Sequence, residues 1–335
     1  MKYTIAVTGA GGGVGQSIIK SLYDTDYRVI ALDGETLGAG LYAVPSSYKI
    51  PYANNSEYLS TLLHICQQEK VDLLFPGLDI ELEILSKNIG KFKEIGTTVI
   101  ISDLNVVKIS NDKQYMYDCL TKINAAVPFT IPFAQTKIED IEYPIIFKQM
   151  VDGARSQNVF LIKSIEEFKS IIQSISIPLS NFIIQEYIEG EEYTCGTINL
   201  DGECKGVIIM KRILRDGDTY KCFSVKDKTI EEAIKNIANK IKPFGACNFQ
   251  LRVKDNIPYV FEINARCSGT TASRTLCGFN EPKMIADYLL KSIEPTHDVK
   301  ELTILRYWNE IVVNNEDVKT VENQKYLKNN QSTLW

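Results

Sequence analysis

From Cys247 to Asn264 the chain reads CNFQLRVKDNIPYVFEIN, and its apolar and polar residues alternate at period two. Phe249, Leu251 and Val253 fall on one face of a first strand, with Asn248, Gln250 and Arg252 on the other. Lys254-Asp255-Asn256 is a turn signal. Beyond it, Tyr259, Phe261 and Ile263 share one face, and Glu262 and Asn264 lie opposite. A hairpin of these two strands commits the chain to an antiparallel sheet. It also brings Gln250, Glu262 and Asn264 to one side, each offering a side-chain oxygen. Hard cations such as Mg2+ take oxygen ligands, usually one or two carboxylates together with substrate phosphates. Arg266, just past the second strand, could meet the same phosphates with a planar fork of donors. A polar outer face is also what an ordinary solvated antiparallel strand shows, so alternation alone leaves both readings open.

The run Phe261-Glu262-Ile263-Asn264-Ala265-Arg266, followed by Ser268-Gly269-Thr270-Thr271, resembles the magnesium motif of the ATP-grasp superfamily. The likeness is strongest to the synthetase halves of the carbamoyl phosphate synthase large subunit. It implies that Gln250, Glu262 and Asn264 hold the magnesium of ATP, two ions with Mn2+ able to substitute. It also implies that Arg266 stabilises charge on the transferring phosphoryl group. The resemblance covers most of residues 1 to 310.

The N-terminal stretch has a different rhythm. Tyr3 to Val7 is a short apolar strand, Gly9, Gly11, Gly12, Gly13 and Gly15 form a turn, Ser17 to Tyr23 has helical spacing, and Val29 to Leu32 is a second strand ending at Asp33. This is the βαβ opening of a doubly wound parallel sheet. The glycines miss G-x-G-x-x-G because Val14 occupies its last position, but Thr8 to Gly15 fits T-G-x-x-x-G-x-G, which resembles the short-chain dehydrogenase turn. Asp33 sits where a ribose-binding acid would. An NAD(P)-dependent oxidoreductase is therefore a rival reading, weakened because no Tyr-x-x-x-Lys pair occurs in the chain. Further on, Pro76-Gly77-Leu78-Asp79 follows an apolar strand, where open α/β sheets place ligands. Asp79 or Glu81 either faces that cleft or supplies acids to a helix start.

Several segments between these two regions also fit the superfamily. Lys113, at a well-capped helix start, would touch ATP phosphates. Tyr143 to Lys148 is a strand ending in lysine, followed by a loop with Gly153 and Arg155, and backbone N–H groups of such a loop can fold over an anion. The resemblance makes these a phosphate-binding strand and flap. It makes Gln185, Glu186, Tyr187 and Ile188 the hinge that contacts adenine through the backbone, and Glu192 the ribose ligand, a carboxylate able to accept from a diol. Lys211 on the following strand would reach phosphates and the acyl phosphate. Arg215 and Lys221 could do similar work, and nothing ranks them.

Charge and composition narrow the partners. The 335 residues suggest two or three domains. A net charge of −5 without a basic block argues against nucleic acid as the main partner. No apolar segment has the length to span a bilayer, and the N-terminus lacks a signal-peptide layout, so a cytoplasmic protein is expected. The eight cysteines include no C-x-x-C pair, and free thiols are expected rather than disulfides or a zinc site. Two histidines leave little material for histidine-dependent triads.

The fold expected is α/β and α+β. A Rossmann-like parallel-sheet domain (1–108) precedes a two-lobed ATP-grasp region with mainly antiparallel sheets, a small lobe (109–186) and a large lobe (187–315). A polar tail, 316–335, is expected to fray or to dock weakly. The resemblance implies an ATP- and Mg2+-dependent ligase that phosphorylates a small-molecule carboxylate and couples the acyl phosphate to an amine, releasing ADP and phosphate. A homodimer is common among relatives. A catalytically silent ATP-binding protein is the remaining alternative.

Overall fold

The computed structural model describes residues 2–151, 158–307 and 309–330. The sequence motifs distribute over three sheets. The first contains β1 (Thr4–Val7), β2 (Arg28–Asp33), β3 (Ser46–Lys49), β4 (Leu73–Phe75) and β5 (Thr98–Val99) in the order β3-β2-β1-β4-β5, all parallel. This is the doubly wound arrangement expected of the N-terminal region. Each residue of β1 is buried, as a central parallel strand covered on both faces must be. The helix Gly13–Leu22 follows the glycine turn closely. A side chain at Gly15 would begin 2.3 Å from the carbonyl oxygen of Gly9, so glycine there serves helix–strand packing.

The tail departs from expectation. Over its described residues it neither frays nor docks loosely: the chain forms a helix, Asn315–Gln324, and returns as a strand (Tyr326–Lys328) antiparallel to β3. Val321 and Leu327 are buried against the N-terminal unit. The density of polar residues hid these two apolar anchors. In the other direction, Thr303 to Val313, which reads as one strand, pairs among the described residues only over Thr303–Leu305.

The second sheet holds β6 (Thr130–Pro132), β7 (Ile145–Gln149), β8 (Val159–Ile162) and β9 (Phe182–Glu186) in the order β6-β9-β7-β8, all antiparallel. Phe147 stacks on Phe182 at 4.5 Å between ring centres and meets Phe168 of the helix Ile165–Ser174 edge-on at 4.9 Å. That packing fills one face of the small sheet and turns Lys148, the next residue, to the other face.

The third sheet contains β10 (Glu191–Leu200), β11 (Glu203–Arg215), β12 (Asp218–Val225), β13 (Gly245–Lys254), β14 (Ile257–Asn264) and β15 (Thr303–Leu305), antiparallel in the order β14-β13-β10-β11-β12-β15. Two tight turns join strands of this sheet. Asp201-Gly202 has φ of 54° and 75°, and Asp255-Asn256 has 52° and 62°, the left-handed pairs that two-residue hairpins need. The amphipathic helix Lys228–Ile241, capped by Asp227, lays Ile230, Ile234 and Ile237 on the face of the sheet that carries Phe249, Leu251 and Ile263. The opposite face packs at one end against the helices Thr271–Leu276 and Glu281–Lys291 and the N-terminal unit, through Ile198, Met210, Phe279 and Ile285. At its other end that face is polar and turns toward the small sheet.

Candidate nucleotide and metal site

The register of β13 and β14 places Gln250 opposite Glu262 and Asn248 opposite Asn264, with a bulge after Gln250. The three oxygen-bearing residues do converge. Glu262 Oε1 accepts from Gln250 Nε2 at 3.2 Å and from Asn264 Nδ2 at 3.0 Å. The donor set suits a hard cation. Rotating either amide presents an oxygen where a nitrogen now donates. Among the described residues no group of three or more His, Cys, Asp or Glu side chains is gathered to hold a metal. One carboxylate with two amides therefore fits an ion that draws its remaining ligands from phosphates, as Mg2+ does, better than a closed protein cage.

Around this row the sheet supplies cations. Arg212 Nη2 donates to Gln250 Oε1 at 2.6 Å and to Glu192 Oε1 at 2.6 Å. Arg252 reaches Glu192 Oε2 at 2.8 Å. Glu192 is thus held and oriented by two arginines. Arg252 also contacts the Tyr187 hydroxyl at 3.3 Å and the Ile188 carbonyl at 3.4 Å, tying the hinge to the large sheet. In the hinge, the Glu186 backbone N–H donates to the Phe129 carbonyl, and Gln185 donates through its amide to Thr130 in a buried pair.

From the small sheet comes Lys148, whose Nζ lies 3.4 Å from the Phe261 carbonyl oxygen. Its ammonium is pulled down to about 7, first by burial and then by repulsion from Lys113, with Glu262 and Glu192 opposing. Lys113 arrives on a segment fixed to both sheets. Ser110 Oγ accepts from the Ala265 N–H at 3.1 Å, and the Lys113 N–H donates to the Met150 carbonyl at 3.0 Å. Asp112 caps the helix Lys113–Lys122 through the N–H groups of Gln114 and Tyr115. Gly153 and Arg155 lie outside the described residues.

Lys211 requires correction. It is paired in register with Tyr193, on the face that the helix Lys228–Ile241 covers, and its ammonium bonds Glu191 there. The site-facing cation of β11 is the next residue, Arg212. Reading parity outward from Glu192 through the Asp201-Gly202 turn would have chosen it. We expect Lys211→Ala to change nucleotide affinity less than about twofold, as for an exposed pair. Arg212→Ala, which strands Glu192 and Gln250, should weaken affinity by about tenfold or more. Calorimetric titration with a non-hydrolysable ATP analogue and Mg2+ compares the two.

Asp79 and Glu81 separate cleanly. Asp79 reaches across from the N-terminal unit to Arg266, accepting from Nε at 2.8 Å and Nη2 at 2.6 Å. Glu81 is fully buried and accepts from Thr8 Oγ1 at 2.6 Å, the Tyr58 hydroxyl, and the N–H groups of Gly77 and Leu78 at 2.8 and 2.9 Å. Burial pushes its carboxyl above the usual range. Glu81 fixes the loop that aims Asp79. Asp33, which the oxidoreductase reading gives to a ribose, accepts from the N–H groups of Gly11 at 2.6 Å and Glu35 at 2.8 Å. The glycine turn is satisfied by its own carboxylate.

Comparison with known proteins agrees with this geometry. The family described as "ATP-grasp in the biosynthetic pathway with Ter operon" matches residues 179–310, and the family "PylC-like, N-terminal domain" matches residues 5–100. A D-alanine–D-alanine ligase of Bacillus anthracis is 26% identical over 276 residues, covering 71% of this chain and 88% of that protein. A carbamoyl phosphate synthase large chain of Thermoanaerobacter pseudethanolicus is 27% identical over 235 residues, 63% of this chain but 21% of that one. The crystal structure of an N5-carboxyaminoimidazole synthetase from Staphylococcus aureus complexed with ADP superposes with a TM-score of 0.71 at 16% identity, over 97% of this chain and 86% of that one. With the EINAR run on β14, the parallel N-terminal sheet and the two antiparallel sheets that face each other across Lys148 and Glu262, the chain belongs to the ATP-grasp superfamily of ligases.

Proposed function

We propose that the protein phosphorylates a small-molecule carboxylate with ATP and joins the resulting acyl phosphate to an amine, releasing ADP and phosphate. The observation that carries this reading is the row Gln250–Glu262–Asn264, flanked by Lys148 and Arg212 and lying between two sheets. Lys113 and Lys148 would hold phosphates, Glu192 the ribose, and the backbone of 185–188 the adenine. Magnesium held by Gln250, Glu262 and Asn264 would neutralise phosphate charge. Arg266, already turned to that row, would stabilise charge developing on the transferring group. The relatives named above support the ligase class, and the ADP in the S. aureus structure supports the nucleotide.

A coupled assay for ADP release, screened over panels of carboxylates and amines with Mg·ATP, tests the proposal. Turnover that needs both a carboxylate and an amine is the expected result. Titration with NADH beside Mg·ATP separates the oxidoreductase reading, and tight NADH binding without ATP binding would overturn the ligase.

Lys148 gives a pH prediction. Its folded value of about 7 lies below the ordinary 10.5, so between these the unfolded chain binds more protons. This residue's contribution to the stability of the nucleotide-free protein therefore rises with pH across that window. Bound triphosphate favours the ammonium and raises its pKa, so nucleotide binding above pH 7 takes up a proton. Affinity for the ATP analogue should fall as pH rises from 7, by at most about tenfold per unit. Lys148→Met should bind more weakly and with a flat profile over pH 6.5–8.5. A wild-type affinity that is independent of pH in this range would refute the assignment.

A further inference from the structure

The nucleotide-free protein keeps Arg266 occupied. Asp79 accepts from its Nε at 2.8 Å and from its Nη2 at 2.6 Å, a bidentate fork, and the Cys267 carbonyl accepts from Nη1 at 2.8 Å. The same Nη2 stands 3.5 Å from Asn264 Oδ1, at the edge of the metal row. Arg266 therefore lies between a carboxylate of the N-terminal unit and the place where that row would bring phosphates. Asp79 comes from a loop with little freedom. Gly77 presses on β1, where a Cβ would begin 2.2 Å from the Thr8 carbonyl oxygen, and Glu81 accepts from the N–H groups of Gly77 and Leu78 at 2.8 and 2.9 Å. On the other side, Ser17 Oγ of the helix Gly13–Leu22 donates to the Gly269 carbonyl at 2.9 Å and ties the segment after Arg266 to the same unit. With both backbones anchored, a change of partner falls to the side chains.

Exposure separates this pair from its neighbours. The Glu192 side chain is 13% exposed beside Arg212, and Glu281 is 0% exposed beside Arg274. Asp79 is 39% exposed, whereas Arg266 is 12% exposed. A carboxylate open to water can leave its partner and be rehydrated at small cost. The guanidinium it leaves is mostly enclosed and calls for another anion. The ligase reading supplies one, because its first substrate is a carboxylate, the same group that Asp79 presents to the fork. While Asp79 holds the fork, its negative charge offsets that of the guanidinium. Arg266 then does little for charge developing on a phosphoryl group.

We propose that Asp79 is a positioning residue that occupies Arg266 in place of the substrate carboxylate and so holds back hydrolysis of ATP until that substrate arrives. The inference rests on the ligase reading and adds to it a means of coupling ATP use to substrate. The reaction held back is attack by water. The water oxygen bonds to the γ-phosphorus, the bond to the β–γ bridging oxygen breaks with its electron pair going to ADP, and a water proton passes to solvent. When a carboxylate takes the fork from Asp79, Arg266 serves the acceptor and the transferring group together.

The test uses the full chain with Mg·ATP and neither carboxylate nor amine present. ADP release should be slow in the wild type and faster by about fivefold or more in Asp79→Asn, which keeps the shape and drops the charge. In the double variant Asp79→Asn/Arg266→Met the rate should return to the wild-type level or below. A merely structural Asp79 predicts a lower rate in Asp79→Asn, not a higher one. Calorimetric titration with Mg·AMP-PNP should show Asp79→Asn binding at least as tightly as the wild type, which also shows that the variant is folded. A smaller rise or none in Asp79→Asn, a rise that persists without Arg266, or weaker AMP-PNP binding by Asp79→Asn would overturn the inference and leave the ligase reading standing. Failure of the wild type to bind Mg·AMP-PNP would overturn the ligase reading itself.

Discussion

Glu262→Gln should abolish ADP release, by on the order of 10³-fold or more, while the protein melts at the wild-type temperature. The substitution keeps the shape and removes one negative charge. In the nucleotide-free protein Glu262 Oε1 is the common acceptor for two amides, Gln250 at 3.2 Å and Asn264 at 3.0 Å. A glutamine can still accept from one or both, and Glu262 is only partly buried at the rim of the sheet, so the fold has little to lose. The chemistry loses the single carboxylate of the row. Three neutral amides cannot offset a divalent cation held against a triphosphate. Asn264→Ala should cost less, because the charge remains. ADP release under saturating Mg·ATP, read beside thermal unfolding, decides the matter. Normal turnover in Glu262→Gln would remove Glu262 from metal binding.

The parts of the site that lie on one strand pair were legible in the sequence, because period-two alternation fixes faces once a hairpin is granted. That rule put Gln250, Glu262 and Asn264 on one side of the sheet, and the resemblance to the magnesium motif supplied their proposed role. Lys148 was legible for a similar reason: an apolar run that ends in a lysine carries it to the edge of a buried sheet. What the sequence concealed depends on pairing across long separations. Which of Lys211 and Arg212 shares the face of Glu192 is set by the register of β10 against β11, and adjacent basic residues carry no local mark of it. The ion pair of Asp79 with Arg266 joins positions 187 residues apart. Glu81 sits two residues from Asp79 and has the opposite fate, buried under Thr8 and Tyr58 rather than turned to the cleft. The C-terminal strand was missed because Tyr326–Lys328 has one buried side chain, Leu327, and its partner β3 is nearly three hundred residues earlier.

Glu281→Ala should destabilise the fold by about 3–5 kcal/mol, the largest stability loss expected here. Glu281 and Arg274 are fully buried and pair at 2.7 Å. Arg274 also donates to Thr194 at 3.1 Å and to the Asn248 side chain, while Thr271 donates to the second Glu281 oxygen at 2.8 Å. The pair lies against Gly196 of β10. A Cβ on that residue would sit 2.2 Å from both Arg274 Nη1 and Glu281 Oε1, so the glycine marks the space the pair occupies. Removing Glu281 leaves a guanidinium that cannot deprotonate enclosed beneath the sheet. Its remaining partners are neutral, and one of them, Asn248, is the cross-strand neighbour of Asn264. The loss should therefore appear first as a lower urea midpoint for the large-sheet unit. Catalysis under native conditions should suffer through misplacement of Asn264. This reverses the pattern of Glu262→Gln, which is inactive but stable. A change below about 1 kcal/mol in Glu281→Ala would mean that water reaches Arg274 and that the pair is not a structural charge buried under the site.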